Sequence, residues 1–332
     1  ADAIAMARAL QADPYLPRKA VLGRDEEITP CIRCLTCFAE RFSNKLRICA
    51  VNPVIGSETE FGNICPALIS KRVLVAGGGP GGMQAAITAA RRGHKVVLCE
   101  KSGELGGALK YEKNIPFKAD VYDLIRSKEL ELRRAGVEVR LNTPVTKDYA
   151  EKESPDALVV AIGAVPVRPA FEESSGPVVM MAEEGADRLD SIGSEVVILG
   201  GGLVGCELAI FLADNGRAVT IAEMTDTLAS NSNANQQRTV LKKLNEYDNI
   251  TVKTGYTGVR VDGKGLVCVD KTGKEVLIEA DTIIYALGQR SLYKEAEQLL
   301  DTAPEVILVG DCVRPGTVKE AISRGFHAAM DI

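Results

Sequence analysis

The alternation of apolar and polar positions in residues 72–101 predicts a strand, a turn, a helix and a second strand. The apolar run at residues 73–76 is too short for a helix and is bounded by glycine, which is typical of a buried strand. An alanine-rich stretch at residues 83–90 predicts the helix. A second apolar run, at residues 96–99, ends in an acidic residue, Glu100. The pattern is that of a β–α–β unit.

Three glycines lie between the first strand and the helix: Gly77, Gly79 and Gly82, in G-x-G-x-x-G spacing. The first glycine permits a tight turn, the second lets the backbone approach a pyrophosphate, and the third lets helix and strand pack closely. The diphosphate would lie at the helix N-terminus, where free N–H groups and the helix dipole favour negative charge. Glu100, 18 residues after Gly82, is placed to accept hydrogen bonds from a ribose diol. These features predict a dinucleotide site.

The same unit occurs a second time, in residues 195–223. Its glycines are Gly200, Gly202 and Gly205, and its terminal acid, Glu223, follows the first glycine by 23 residues, as Glu100 does in the first unit. Two ordinary β–α–β crossovers could carry glycines merely for packing. The match of strand, turn, helix and acid in both copies favours two dinucleotide sites.

Four cysteines cluster before the first unit: Cys31, Cys34 and Cys37, and after 11 more residues Cys49. Iron–sulfur clusters are commonly held by four thiolates in such arrangements. Zinc is the main alternative, although its four-cysteine sites usually consist of two separated C-x-x-C pairs. Buried reduced thiols are a third reading, but they rarely occur at this density. The total of nine cysteines is odd, which argues against a disulfide framework and for a reducing compartment.

Downstream of the second unit, four short apolar stretches and two polar turns, Asp262-Gly263 and Thr272-Gly273, predict a β-rich region with hairpins. The stretches are residues 251–253, 257–261, 266–269 and 276–278. Farther on, Asp311 directly follows a predicted strand at 306–309 and precedes a predicted helix at 318–330. The Asp311 carboxylate could accept a hydrogen bond from a ribityl hydroxyl or cap the helix. A short amphipathic helix is predicted at residues 2–11.

Composition and charge narrow the class of protein. The chain has 332 residues, 46% of them hydrophobic and 26% charged, which is ordinary for a globular protein. A net charge of −5 gives no electrostatic reason to expect nucleic acid or an anionic membrane as partner. The most apolar window, residues 196–213, contains glycines and Glu207, so a strand–turn–helix explains it better than a membrane span. Without a signal peptide, we expect a cytoplasmic protein. Since both ends fall inside apparent helices, we expect a piece of a longer polypeptide.

The motifs, taken in order, resemble the C-terminal half of the flavin/iron–sulfur reductases related to old yellow enzyme. That group includes 2-enoate reductase, 2,4-dienoyl-CoA reductase, bile-acid-inducible NADH:flavin oxidoreductase and trimethylamine dehydrogenase. The resemblance rests on the cysteine set, the two glycine fingerprints, LGGALK at 105–110, Ala161-Ile162-Gly163, Ala286-Leu287-Gly288 and Val309-Gly310-Asp311. Ala108 departs from relatives that have a polar residue after the double glycine.

The resemblance implies an α/β fold with two Rossmann-like nucleotide-binding domains of the glutathione-reductase-like, three-layer ββα type. The NAD domain would be inserted in the FAD domain, and a small cysteine-rich iron–sulfur segment would precede both. The implied bounds are residues 1–70 for that segment with a barrel-terminal helix, 71–165 and 281–332 for the FAD-binding domain, and 166–280 for the NAD(P)H-binding domain.

The resemblance also implies ligands for individual residues. Around FAD it places Gly77, Gly79, Gly82, Glu100, Lys101, Gly107, Gly163 and Asp311. Facing the nicotinamide nucleotide it places Gly200, Gly202, Gly205, Glu223 and Gly288, and a 4Fe-4S cluster would be held by Cys31, Cys34, Cys37 and Cys49. Glu223 favours NADH over NADPH, because a carboxylate accepts from a 2′-hydroxyl but repels a 2′-phosphate.

By the same resemblance, electrons would pass from NADH through FAD and the cluster to FMN in a TIM barrel outside this sequence. The barrel would bind a small-molecule substrate and reduce an activated C=C bond of an enoate, enone or enoyl-CoA; its catalytic side chains are unknown here, and a homo-oligomer is possible. One alternative is an ADP-binding electron-transfer module without NADH activity. A pyridine-nucleotide disulfide oxidoreductase is another, but Cys99 and Cys206 stand alone. A glutamate-synthase-like small subunit would carry more cysteines.

Overall fold

In the computed structural model the chain is described over residues 2–41 and 47–332, without the side chains of residues 40 and 41. It forms two compact units, one made of Ala1–Val165 and Ser291–Ile332, the other of Pro166–Arg290. We call them the first and second unit.

The helices, in chain order, are α1 (Arg8–Ala12), α2 (Leu16–Val21), α3 (Thr36–Arg41), α4 (Glu58–Phe61), α5 (Pro80–Arg91), α6 (Ala119–Ala135), α7 (Lys147–Glu153), α8 (Ala182–Gly185), α9 (Leu203–Asp214), α10 (Ala234–Leu244), α11 (Tyr293–Glu297) and α12 (Val318–Asp331). The strands are β1 (Arg72–Ala76), β2 (Lys95–Cys99), β3 (Glu138–Arg140), β4 (Ala157–Val160), β5 (Ala164–Pro166), β6 (Val178–Met181), β7 (Glu195–Leu199), β8 (Ala218–Glu223), β9 (Ile250–Thr254), β10 (Thr257–Asp262), β11 (Gly265–Val269), β12 (Glu275–Glu279), β13 (Thr282–Tyr285), β14 (Gln289–Ser291) and β15 (Glu305–Leu308).

The first unit is built on a five-stranded sheet with the order β15-β4-β1-β2-β3, whose adjacent strands pair in parallel. Side chains of a strand alternate between the faces of its sheet, and β1 shows this directly. Val73 and Val75 pack into the cluster that includes residues of α5, α6 and α12. Leu74 and Ala76 pack on the opposite face, with residues of α7 and α11. Both faces are therefore covered, as parallel sheets require.

The second unit repeats that sheet and adds a layer. Its parallel sheet has the order β6-β13-β7-β8-β9, and β10-β11-β12 form a separate antiparallel sheet. Helix α9 packs on β7 and β8, while Val197 and Leu199 of β7 join the cluster with residues of β10 and β11. The layers are helix, parallel sheet and antiparallel sheet, which confirms the predicted ββα fold class. The antiparallel sheet lies between β9 and β13 in the chain. At the equivalent place in the first unit, between β3 and β4, the chain forms α7.

Three details differ from the sequence predictions. The helix predicted from residue 2 begins at Arg8. Strand β9 pairs in parallel with β8, so the first stretch predicted for the β-rich region extends the Rossmann sheet, and only the next three form hairpins. Strand β13 pairs with β6 and β7. Residues 281–290 therefore lie in the second unit, not in the FAD-binding domain where the sequence placed them.

Helices α5 and α12 cross at two glycines. A methyl group at Gly325 would overlap the carbonyl oxygen of Gly81, and one at Gly81 would come within 3.1 Å of the carbonyl oxygen of Ala321. The two backbones touch here because neither position has a side chain. Helix α5 begins at the predicted diphosphate loop, so this contact sets the position of that loop against α12.

We expect Gly325→Ala to destabilise the protein by about 1–3 kcal/mol, because the overlap forces backbone shifts in a packed interior. The substitution improves helix propensity by about 1 kcal/mol, so the overlap must outweigh that gain. Urea unfolding followed by circular dichroism measures the difference. Arg324→Ala, on the exposed side of the same helix, is the matched control. A Gly325→Ala protein as stable as the wild type would contradict the close helix contact.

Candidate dinucleotide-binding sites

The loop between β1 and α5 has the geometry that its glycines predict. Gly77 has φ +110°, and its N–H donates to the carbonyl oxygen of Cys99 at 2.8 Å. A methyl group at Gly82 would overlap the carbonyl oxygen of Gly77. Gly79 is the N-cap of α5, with Pro80 in the first turn, where a missing N–H costs nothing. At its three fingerprint positions this loop therefore presents backbone and no side chain.

Glu100 lies at the end of β2 and is tied to this loop. Its Oε2 accepts from the N–H of Gly78 at 2.7 Å, and its Oε1 accepts from the N–H and hydroxyl of Ser102, both at 2.8 Å. The residue is only 7% exposed. A carboxylate offers about four acceptor positions, so the three bonds fix its orientation and leave one free for a ribose hydroxyl. Lys101, next to it, is exposed.

The remaining residues predicted around FAD come from neighbouring loops of the first unit. Gly106, at φ +112°, donates to the carbonyl oxygen of Gly78 at 2.9 Å, which folds the loop back so that Gly107 lies over Gly79. Gly163 follows β4 and Asp311 follows β15. The carboxyl ends of adjacent parallel strands meet at one sheet edge, which is where ligands of such sheets bind.

Asp311 is not a helix cap. Thr317 caps α12, and Glu320 completes the capping box. The Oδ1 of Asp311 instead accepts from the N–H of Gly316 at 3.1 Å, and burial raises the pKa of its carboxyl group. Of the two roles considered for this aspartate, the capping role is wrong.

The second unit encloses a cavity of about 470 Å³ beside its own glycine loop. Gly200, Gly202, Glu223 and Gly288 line this cavity. Gly205 lies behind them, where a methyl group would overlap the carbonyl oxygen of Gly200. Four of the five residues predicted to face the nicotinamide nucleotide thus share one cavity, and the fifth supports its wall.

The acid of the second unit repeats the bonds of the first. Glu223 Oε2 accepts from the N–H of Gly201 at 2.7 Å, and Oε1 accepts from the N–H and hydroxyl of Thr225 at 2.8 and 2.7 Å. Leu105 and Leu228 occupy equivalent places. Leu105 fills the space that a side chain on Gly78 would take, and Leu228 does the same at Gly201. The internal repeat seen in the sequence is therefore also a repeat of hydrogen bonds.

The cavity contains residues that the glycine pattern does not mark. Phe171, Tyr256, Tyr285 and Asn231 all line it. The hydroxyl of Tyr285 donates to Glu173 at 3.0 Å, and burial raises the pKa of this tyrosine. Asn231 is the eighth residue after Glu223, and Ala108 is the eighth after Glu100, so aligning the two repeats would have singled it out.

Another cavity, of about 1350 Å³, lies in the first unit. It contains neither the glycine loop nor the four clustered cysteines. Lys128 lies buried in its wall and donates to Gln84 at 2.9 Å and to Glu131 at 3.0 Å. These bonds satisfy the buried ammonium group, and the cavity brings no residue of the predicted nucleotide sites together.

The four clustered cysteines share one neighbourhood of the first unit. Cys31, Cys34 and Cys49 pack against an apolar cluster that includes residues of α1, α6 and α12. Burial raises the pKa of Cys37 and of Cys49, and the nearby Cys34 and Cys31 raise both further. None of the four is in a disulfide bond. Over residues 2–41 and 47–332, however, no three metal-binding side chains are arranged to hold a metal ion; residues 42–46, between Cys37 and Cys49, lie outside the described residues.

The other cysteines do not form a redox pair. Cys99, Cys206, Cys268 and Cys312 are free and buried, and Cys65 is free and exposed. Burial raises the pKa of Cys206 to about 12 and that of Cys268 to about 11. Such thiols are protonated at neutral pH and are not nucleophiles.

Comparison with known proteins identifies a family and several relatives of this chain. The sequence profile described as pyridine nucleotide-disulphide oxidoreductase matches residues 71–325. An NADH oxidase of Thermoanaerobacter brockii is 38% identical over 340 residues, covering 100% of this chain and 52% of that protein. A cinnamate reductase of Clostridium sporogenes is 34% identical over 338 residues, covering 100% of this chain and 50% of the relative. This chain therefore spans about half the length of these relatives.

Solved structures agree. The structure of a 2-naphthoyl-CoA reductase in complex with 2-naphthoyl-CoA superposes with a TM-score of 0.89 at 34% identity, over 98% of this chain and 50% of that one. A thioredoxin reductase of Lactococcus lactis, with a TM-score of 0.64 at 19% identity over 79% of this chain, shares the fold. The predicted resemblance to the flavin/iron–sulfur reductases is confirmed. None of the helices in the described ranges has the length and apolar character needed to cross a membrane.

We expect the buried thiols to resist alkylation in the folded protein. At pH 8 a thiol with a pKa near 11 or 12 is almost entirely protonated, and its burial also blocks access. A maleimide pulse followed by peptide mass spectrometry should therefore label Cys65 but leave Cys206 and Cys268 unlabelled until denaturant is added. Rapid native labelling of Cys206 would contradict its burial.

Proposed function

Because this chain belongs to the pyridine nucleotide-disulphide oxidoreductase family, we propose that it is the FAD- and NADH-binding part of a flavoprotein oxidoreductase. One hydrogen bond, present in both repeats, carries the proposal. The N–H of Gly78 donates to Glu100, and the N–H of Gly201 donates to Glu223; each acid ends the strand that follows the loop and its helix. One protein chain with two such loops has one place for a resident flavin nucleotide and one for an exchangeable nicotinamide nucleotide.

We assign FAD to the first unit. Gly77, Gly79 and Gly82 would frame its diphosphate at the N-terminus of α5, and Glu100 would accept from its adenosine ribose. Gly107 lies close to Gly79, and neither position has a side chain. Gly163 and Asp311 stand at the same sheet edge, where Asp311 can accept from a ribityl hydroxyl. Lys101 is assigned to this site through the resemblance alone.

We assign NADH to the cavity of the second unit. Its glycine loop would take the diphosphate, and Glu223 has one acceptor position left for a ribose hydroxyl. A 2′-phosphate placed there would meet a carboxylate that three donors hold in position, so NADPH is the poorer ligand. Gly288, at φ +85°, lines the same cavity.

A 4Fe-4S cluster fits the four clustered cysteines in ligand type and number, since they are thiols outside any disulfide. Three of them pack on one apolar cluster, and Cys37 lies near Cys34 and Cys31. Cys31, Cys34, Cys37 and Cys49 would hold the 4Fe-4S cluster. The residues lack the arrangement of a finished coordination shell, so binding must draw the four thiolates together. When bound, FAD would accept hydride and the cluster would carry single electrons.

The larger reaction is proposed from the relatives, since this chain spans half their length. Their names include a cinnamate reductase and a 2-naphthoyl-CoA reductase, whose substrates carry conjugated double bonds. We propose that electrons leave this chain for FMN in a barrel domain, where an activated C=C bond is reduced. In the described residues the thiols outside the four-cysteine cluster form no disulfide. Cys99 and Cys312 share one apolar cluster, but Cys99 contacts the hydroxyl of Tyr149 and Cys312 donates to backbone carbonyls, which leaves the disulfide oxidoreductase alternative without a bonded cysteine pair.

Anaerobic addition of NADH to the purified chain tests the central proposal. We expect flavin absorbance at roughly 450 nm to disappear within the mixing time or over minutes. One NADH supplies the two electrons that FAD takes up, and a bound cluster would take one electron more. A chain that copurifies with ADP, lacks flavin and leaves NADH unchanged would instead establish the ADP-binding module.

Exchange of the two acids for serine tests the assignment of the two sites. Glu223→Ser should weaken NADH binding about tenfold or more, the effect of losing a hydrogen bond to a charged group. It should also remove the discrimination against NADPH, without lowering flavin content. The matched variant Glu100→Ser should lower the retained FAD and leave the NADH-to-NADPH preference unchanged. Titration calorimetry and the flavin-to-protein ratio measure both effects. Loss of flavin in Glu223→Ser together with weaker NADH binding in Glu100→Ser would instead place FAD in the second unit and NADH in the first.

A further inference from the structure

A side chain of the protein lies at the N-terminus of α9 in the second unit, where we propose that the diphosphate of NADH binds. The Oδ1 of Asn231 accepts from the backbone N–H of Leu203 at 3.2 Å. Leu203 is the first residue of α9, whose N-cap, Gly202, has no side chain. A methyl group at Gly202 would lie 3.6 Å from both Oδ1 and Nδ2 of Asn231. The carboxamide therefore lies over the second glycine of the fingerprint, against one of the free N–H groups of the helix.

The first unit has no counterpart of this contact. Ala108 stands at the position equivalent to Asn231, and it offers no acceptor. Pro80 stands at the position equivalent to Leu203, and it has no N–H to donate. A backbone hydrogen bond found in both loops supports this alignment. The N–H of Gly106 donates to the carbonyl oxygen of Gly78 at 2.9 Å, and the N–H of Ala229 donates to that of Gly201 at 2.7 Å. Both halves of the contact are thus present in one repeat and absent from the other.

We propose that Asn231 is a gate at the NADH site: its carboxamide competes with the dinucleotide diphosphate for the N-terminus of α9. This inference rests on the proposed binding of NADH in the second unit. Diphosphate binding there requires unbonded N–H groups at the helix N-terminus. In the chain without ligand, one of these groups, the N–H of Leu203, already donates to Asn231. Every binding event must break that hydrogen bond, and every release restores it.

Only the side chain of Asn231 needs to move. Its backbone is held on one side by the bond from Ala229 to Gly201, and on the other by Asn233, the N-cap of α10, which accepts from Gln236 at 3.0 Å. Asn231 is exposed, so a rotamer change carries the carboxamide into solvent on a fast timescale. The gate lowers the apparent NADH affinity by the fraction of chains in which the helix N-terminus is open.

The absence of this contact in the first unit has the opposite consequence. FAD would meet a helix N-terminus with no competing side chain, so no intramolecular bond has to break. One repeat is thereby suited to a resident nucleotide and the other to an exchanging one, although the two share their glycines and acids.

The test compares NADH binding by the wild-type chain and by Asn231→Ala. We expect the variant to bind NADH about two- to tenfold more tightly, the fold-change that corresponds to one net hydrogen bond. Its melting temperature without ligand should fall, because the helix loses a cap. Asn231→Asp should do the reverse, with a higher melting temperature and at least fivefold weaker NADH binding, since a carboxylate caps the helix more strongly and repels the diphosphate. Ser230→Ala, at the exposed neighbouring position, should change neither quantity.

A double-mutant comparison isolates the contact. Leu203→Pro removes the donated N–H and places proline in the first turn of the helix, where it is tolerated. In that background Asn231→Ala should no longer tighten NADH binding. If Leu203→Pro does not fold, the opposite responses of the alanine and aspartate variants decide the question.

Weaker NADH binding by Asn231→Ala would overturn the gate and make Asn231 a ligand of the diphosphate. A lower melting temperature with unchanged binding would reduce it to a structural cap. Absence of NADH binding by the wild type and by Asn231→Ala alike would refute the proposed function, and the gate with it. Failure of the inference alone is therefore distinguishable from failure of the function.

Discussion

The bond between a strand-terminal carboxylate and the N–H of a loop glycine is the interaction on which both nucleotide sites depend. Glu100 holds Gly78, and Glu223 holds Gly201, each at 2.7 Å. The bond closes each glycine loop and orients the acid that would bind a ribose hydroxyl. A charged acceptor paired with a backbone donor is among the stronger hydrogen bonds in proteins. The glycine loop proposed to hold a diphosphate and the acid proposed to bind a ribose are thus joined by one contact in each unit.

Most of this architecture could be predicted from the sequence, because buried parallel strands and glycine turns leave local signals. The apolar runs that became β1, β2, β7 and β8 are short and bounded by glycine or charge. The first glycine of each fingerprint was correctly expected at a tight turn, and the third at a close packing contact, because each has a fixed steric task. The hairpins at Asp262-Gly263 and Thr272-Gly273 followed from turn chemistry in the same way.

Where the predictions differed from the structure, the deciding interactions were non-local. Nothing in residues 251–253 distinguishes the edge of a parallel sheet from a hairpin strand; only pairing with β8 does. Residues 282–288 end in glycine just as residues 157–163 do, and only pairing with β6 and β7 places them in the second unit. Alignment of the two repeats pairs Asn231 with Ala108, but the position of Asn231 over Gly202 depends on the fold of the loop. The cysteine spacing predicts a ligand set, but not how closely the four thiols are placed.

The order of the segments along the chain constrains how the protein matures. Strand β15 and helix α12 belong to the first unit, yet they follow the whole of the second unit in sequence. Domains generally fold during synthesis in the order in which they emerge, so the inserted unit can fold before its host is complete. The close contact of Gly81 with Gly325 cannot form until α12 has left the ribosome. The glycine loop of the first unit is therefore among the last parts of this chain to become rigid, and the nucleotide proposed for it would bind after the second unit has been translated.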